Sequence, residues 1–160
     1  MSELKDIELA RSTFNTLCKS LDNNNWKYKP DVEDMSVFFC ARGEDLPIDI
    51  NIKVDAERKL VWLASKMPYN ILEDKRVEIA VAVSVINNSL IDGNFDYDIK
   101  TGNLYFTMTN SFIESRLSEN VFSYMFFCAC QTIDEYNDKL LMLSKGVISL
   151  EEFISDNTNE

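Results

Sequence analysis

At 160 residues, with 46% hydrophobic and 27% charged residues and only 4 glycines and 3 prolines, the chain is sized for one domain over residues 1–160 with a full core, and its composition excludes a disordered protein. Its 27 acids against 16 bases give a formal charge of -11, a field that repels phosphate backbones and anionic lipid, so nucleic acid and membrane surfaces are excluded as expected partners. The absence of histidine removes the imidazole base of the common serine and cysteine hydrolases and any histidine-ligated zinc site. Residues 81–160 hold 12 of the acids and 4 of the bases, so the acidity is concentrated in the second half and suits a basic or neutral protein partner.

Leu4, Ile7, Ala10, Phe14, Leu17 and Leu21 recur at steps of three and four and predict an amphipathic helix over 3–22. The cluster Asp22-Asn23-Asn24-Asn25 stops it, because these side chains bond to nearby backbone and tolerate left-handed conformations. Trp26 to Lys29 is a candidate lead-in strand before Pro30. Met35, Val37, Phe39 and Ala41 then alternate with Ser36, Phe38, Cys40 and Arg42, apolar on much of both faces, which predicts a strand near the middle of a sheet. Ile48, Ile50, Ile52 and Val54 alternate with Asp49, Asn51 and Lys53, a strand with one buried and one wet face. A turn over Asp55–Arg58 leads into a third strand, Lys59–Ser65, and the short connections predict antiparallel pairing.

The segment 72–91 carries two periods at once. Val77, Ile79, Val81, Val83 and Val85 alternate as in a strand, but the apolar run continues to Ile91 and is bracketed by Asp74 and Asp92-Gly93, so a helix is the expectation. Phe95, Tyr97 and Ile99 face Leu104, Phe106 and Met108 across the turn Lys100-Thr101-Gly102-Asn103, a second hairpin. Ser118 caps a long helix whose core stripe is Phe122, Met125 or Phe126, Ala129, Ile133, Tyr136, Leu140 and Leu143, ending at Lys145-Gly146. Ser149-Leu150-Glu151-Glu152 is a capping box for a short helix carrying Leu150, Phe153 and Ile154, and the tail 156–160 is expected to fray.

The four cysteines, Cys18, Cys40, Cys128 and Cys130, fall within predicted elements beside apolar neighbours and are expected to be reduced core thiols. Cys128 and Cys130 lie two apart on a helix and point in different directions, which suits neither a redox dithiol nor a zinc knuckle. The opening MSELKDIELARS lacks an apolar leader core, and no run reaches the roughly 18 apolar residues of a membrane span, so a soluble, cytosolic protein is expected. The four glycines stand singly and form no phosphate-cradling loop. Asp92-Gly-Asn94-Phe-Asp96-Tyr-Asp98 imitates half of a calcium loop, but Tyr97 stands where the turn glycine belongs and Asn103 where the closing glutamate belongs. The acid pairs Glu44-Asp45, Glu73-Asp74 and Glu151-Glu152 fit loops and caps. No metal or cofactor is expected.

The arrangement of elements, together with the INNSL segment (Ile86–Leu90), Gly93-Asn94-Phe95, Asp98, Gly102, the Leu117-Ser118 helix start and the late GVISLEEF, resembles the bacterial YbjN-like family, whose fold is shared with type III secretion chaperones. The resemblance covers most of the chain and contains no catalytic motif. It implies an α+β domain in which a curved antiparallel sheet packs on helices in the order α-β-β-β-α-β-β-α, often as a dimer. It also implies a role in sensory transduction regulation or chaperone-like protein binding.

From Val121 to Cys130 the long helix has almost no polar side, more apolar surface than one sheet contact requires. Either the first helix or the tail covers the excess, or a partner does. Val121, Tyr124, Phe127 and Cys128 are therefore the candidate protein-interaction surface, with self-association as one form of it. Exposed aromatics there would each contribute on the order of 1.5 to 3 kcal/mol on burial. The leading expectation is a non-enzymatic cytosolic protein-binding module. The second is a small-molecule-binding or weakly catalytic domain using a cavity between sheet and helices.

Overall fold

The computed structural model describes residues 2–158. Helix α1 (Ser2–Asn23) is followed by β1 (Lys29–Asp31), β2 (Ser36–Arg42), β3 (Pro47–Asp55) and β4 (Leu60–Lys66); a 3-10 turn (Glu73–Lys75) leads into α2 (Arg76–Ser89), then come β5 (Asn94–Asp98), β6 (Asn103–Ser111), α3 (Glu119–Ser144) and α4 (Leu150–Thr158). The strands form one open sheet in the order β1-β2-β3-β4-β6-β5, antiparallel throughout. The expected α+β architecture is thus observed, with an edge strand added to the expected order of elements and the short helix expected after the Ser149 capping box closing it.

Side-chain alternation gives the sheet one dry face. The register Val37↔Ile52↔Leu63↔Met108 runs across four strands, and each of these residues is buried, as are their same-face neighbours Phe39, Ile50, Val61 and Phe106. The helices pack on this side, α1 and α3 over β3, α3 over β6, and α2 over β5. The predicted stripe of α3 is buried throughout, with both Met125 and Phe126 inward. On the opposite face Cys40, Asn51 and Trp62 are exposed.

Several expectations are corrected. Trp26–Tyr28 do not form the lead-in strand; the first strand is Lys29–Asp31, which spans Pro30 and lies at the sheet edge, where a missing N–H costs no ladder bond. Consequently β2 is next to the edge rather than central, and its second face is largely open. Cys40 lies on that open face and is exposed, and Cys18, Cys128 and Cys130 are half-buried, so the four free thiols are not core residues. Residues 156–158 form the last turn of α4, where Asn157 Nδ2 donates to Phe153 O and Thr158 Oγ1 to Ile154 O, both at 2.7 Å. Residues 159 and 160, also expected to fray, lie outside the described residues.

The ambiguous segment is helical. Its buried residues are Ile79, Ala82, Val83 and Ile86, at steps of three, one and three, while Val77 and Val81 of the strand-like series are exposed. Chain return from α2 to β5 is held by a side chain. The Asn87 amide donates from Nδ2 to Phe95 O (2.9 Å) and accepts from Phe95 N (2.8 Å), so it acts as a one-residue substitute strand on the sheet's free edge. Gly93 makes this return possible: its φ is +70°, and a Cβ there would lie 2.4 Å from Phe106 Cζ.

The starts of α3 and α4 are fixed differently. Ser118 caps its start, accepting from Val121 N at 3.4 Å. Beside it α1 is clamped on: Ser20 Oγ donates to Glu119 O (2.8 Å), Asn23 Nδ2 to the Glu119 carboxylate (2.6 Å), and Lys19 pairs with the same carboxylate (2.6 Å). The Ser149–Glu152 capping box is formed in both directions, at 2.7 and 3.1 Å.

Asn87→Ala should lower unfolding free energy by roughly 1–3 kcal/mol, since it strips both partners from a backbone unit flanked by a buried phenylalanine; urea denaturation measures this. The Lys19 hydrogen bond, aided by Asn23, holds the Glu119 carboxyl below its ordinary 4.5. A depressed folded-state value contributes stability above the unfolded value and loses it as pH falls. Thermal midpoints should therefore fall as pH drops below about 4.5, less steeply in Glu119→Gln than in the parent chain.

Candidate functional site

Packing three helices on one sheet face leaves a furrow where two of them diverge. A groove of about 850 Å³ runs between α2 and α3. One wall is Ser84, Val85, Asn88 and Ser89 of α2, continued by Leu90, Ile91 and Asp92 of the connection; the other is Tyr124, Cys128, Thr132, Glu135 and Lys139 of α3. The α3 residues follow one another at steps of four, four, three and four, so they form a single stripe along the helix. Tyr136 of α3 and Asp156, Asn157 and Thr158 from the end of α4 complete the lining. The opening therefore lies among the helices, not between sheet and helices as the small-molecule expectation had it.

The four predicted surface residues divide between two places. Tyr124 and Cys128 line the groove, with Tyr124 52% exposed. Val121, half-buried, lies one turn before Tyr124 on the same helix face and is not part of the lining. Phe127 is 50% exposed but turns toward the start of the sheet, its ring 6.1 Å from Trp26 and 5.0 Å from Phe126. The apolar excess of α3 is thus divided: Trp26 leans on one flank, where Phe127 stays half exposed, and the groove side is open. Sequence reasoning missed Asn88, Ile91, Asp92, Glu135, Lys139 and the end of α4. The α3 stripe was detectable from its spacing, whereas the α2 and α4 contributions depend on tertiary packing.

Ile91, which also lines the groove, is fully exposed. The Asp92 carboxylate faces the Tyr124 hydroxyl and is the main reason the phenol is pushed up to about 12, with the charge of the Cys128 thiolate form acting in the same sense. Asp92 also accepts from Gly93 N at 2.8 Å. Lys139 is the one cation among the described lining residues, and its Nζ lies over the Tyr136 ring, 5.2 Å from the centroid. Three carboxylates, Asp92, Glu135 and Asp156, leave the groove net negative.

The remaining candidates have local roles. Asp96 takes hydrogen bonds from Asn94 Nδ2 (2.6 Å) and Thr107 Oγ1 (2.7 Å), and Asp98 binds the turn through Lys100 N and Thr101 Oγ1. Asp96 and Asp98 of the calcium-like segment are accordingly exposed residues of β5, while Asp92, half-buried, lies in the connection before it. Among the described residues no group of three or more cysteine, aspartate or glutamate side chains could hold a metal ion, and no helix is long and apolar enough to cross a membrane. Burial raises the thiols of Cys18 and Cys130, the latter to about 11, and the Asp49 carboxylate raises that of Cys40. Thiols so shifted are weak nucleophiles near neutral pH.

These features define an α+β protein with helices on one face of an open six-stranded sheet and an acidic, aromatic-rimmed groove between two of them. No protein-family model matches the chain, and no curated protein sequence matches it. Among solved structures the fold is similar to the crystal structure of YbjN, a putative transcription regulator from E. coli, with a TM-score of 0.58 and 13% identity over 82% of this chain and 92% of that one. The chain has a YbjN-like fold.

If Asp92 sets the Tyr124 phenol, then in NMR titrations of ring-labelled tyrosine the resonance lost in Tyr124→Phe should titrate near 12 in the parent chain. In Asp92→Asn it should move toward about 10.

Proposed function

We propose that the protein is a non-enzymatic regulatory module that works in the cytosol by binding a protein partner in the α2–α3 groove. The observation that carries this reading is the groove itself: about 850 Å³, open to solvent and rimmed by Ile91 and Tyr124, two large side chains left exposed on the molecule. Exposed aromatic and aliphatic groups around a concave surface are the usual anchors of protein association. The likeness in fold to YbjN, itself described as a putative transcription regulator, supports a regulatory role. A net charge of -11 favours control through protein contact over direct contact with nucleic acid. Four free thiols suit a reducing compartment.

Photo-cross-linking in the native cell, with the reactive side chain placed at position 124 and, as a control, at Trp62 on the opposite sheet face, tests the reading. A protein captured from 124 but not from 62 is expected, and after purification it should bind Tyr124→Ala roughly tenfold or more weakly than the parent chain. Capture of a second copy of this chain would make the partner itself; equal capture from both positions would overturn the assignment of the groove.

A further inference from the structure

We infer that Asp92 and Gly93 form a site of spontaneous covalent self-modification, at which the peptide link passes from the α-carboxyl to the side-chain carboxyl of Asp92 and leaves an isoaspartyl residue. Sequence and geometry point to the same pair. Asp92 is the one aspartate of the chain followed by glycine, and no asparagine is. Glycine has no Cβ to obstruct the approach of its nitrogen to the preceding side chain. The pair lies in the connection between α2 and β5, outside the helix and strand whose ladders would hold the Gly93 amide. That amide donates instead to Asp92 Oδ1 at 2.8 Å, so the nitrogen and the carboxyl carbon it must reach are already neighbours. Other aspartates that accept from the backbone reach further along the chain, Asp31 to Glu33 N and Asp34 N, Asp55 to Arg58 N and Asp98 to Lys100 N, and each is followed by a residue with a Cβ.

The chemistry needs only water and does not depend on the function proposed above. Gly93 N gives up its proton and attacks Asp92 Cγ of the protonated carboxyl; the N–Cγ bond forms, the Cγ–OH bond breaks, and the hydroxyl leaves with that proton as water. Another water then opens the cyclic imide. Cleavage at Cγ restores aspartate, whereas cleavage at the α-carbonyl leaves the chain running through Cβ and Cγ, longer by a methylene and with the α-carboxyl free. Nothing is oxidised or reduced, and the water released is taken up again. Holding both reactants in contact is what accelerates an intramolecular step of this kind, and Asp92, half-buried on the open groove, is within reach of solvent. The lengthened link falls where the chain path has little slack, between the Asn87 clasp on Phe95 and the close approach of Gly93 to Phe106. It also takes the carboxylate from its place facing Tyr124, so conversion alters one wall of the groove.

Ageing the unaltered protein for weeks near neutral pH, folded and in parallel unfolded in urea, tests this without a variant that must fold. Peptide mapping by electron-transfer fragmentation, which separates isoaspartyl from aspartyl residues, should find isoaspartate at position 92 roughly tenfold or more above that at any other aspartate. It should accumulate at least as fast in the folded chain as in urea, because the fold supplies the contact. Asp92→Asn, which loses ammonia in place of water through the same ring, should convert faster and gain the mass difference between amide and acid. In aged protein the converted fraction should show a Tyr124 ring resonance that titrates lower than in the fresh chain. Absence of isoaspartate at 92, its appearance only in the urea-unfolded chain, or equal accumulation at the other aspartates overturns the inference.

Discussion

The structure depends on the covering of one sheet face by α3. Across β2, β3, β4 and β6 the inward residues form an apolar layer interrupted at Ser65, and α3 sets Phe122, Met125, Phe126, Ala129, Ile133, Leu140 and Leu143 toward the interior. With each large side chain contributing about 1.5–3 kcal/mol on burial, this contact exceeds any single hydrogen bond in the molecule. Everything else is arranged around it. α1 is held at the start of α3 by Glu119 and Ser123, while α2 and α4 fill the space left at the β5 side. The groove is what those two shorter helices fail to fill.

This dependence explains which parts of the fold could be read from residues alone. Elements that touch the layer announce themselves by period: alternation in β3, three-and-four spacing in α1 and α3. Segment 72–91 carries both periods because a helix buried against neighbours on more than one side needs few polar residues. Only the burial of Ile79, Ala82, Val83 and Ile86 separates the two readings. β1 escaped because it has three exposed residues, one of them proline, and so carries no pattern. The end of α4 escaped because its order comes from Asn157 and Thr158 bonding back to the helix and from packing on α2, neither of which shows in composition.

The residues behind the family resemblance have plain physical reasons to be where they are. Asn87 within INNSL closes the edge of β5, Gly93 lets the chain pass within van der Waals reach of Phe106, and Asp98 ties the following turn. Gly102, at φ +75°, approaches Ile71 O so closely that a Cβ would lie 2.2 Å from it. All four act on the backbone path from α2 through the second hairpin. A fold defined by such a path and by apolar periods can be shared at 13% identity, because neither constraint specifies the rest of the side chains.

The candidate site was less legible than the fold for a geometric reason. Tyr124 and Phe127 are three residues apart and equally apolar, so sequence placed them on one surface. In the fold, Phe127 leans on Trp26 while Tyr124 faces Asp92. What distinguishes them is not their own chemistry but which helix lies beside each, α1 on one flank and α2 on the other. The same separation gives the acidity its meaning. Spread over the chain, a charge of -11 says only that polyanions are repelled; in the lining of one groove, three carboxylates against one lysine give that surface a sign.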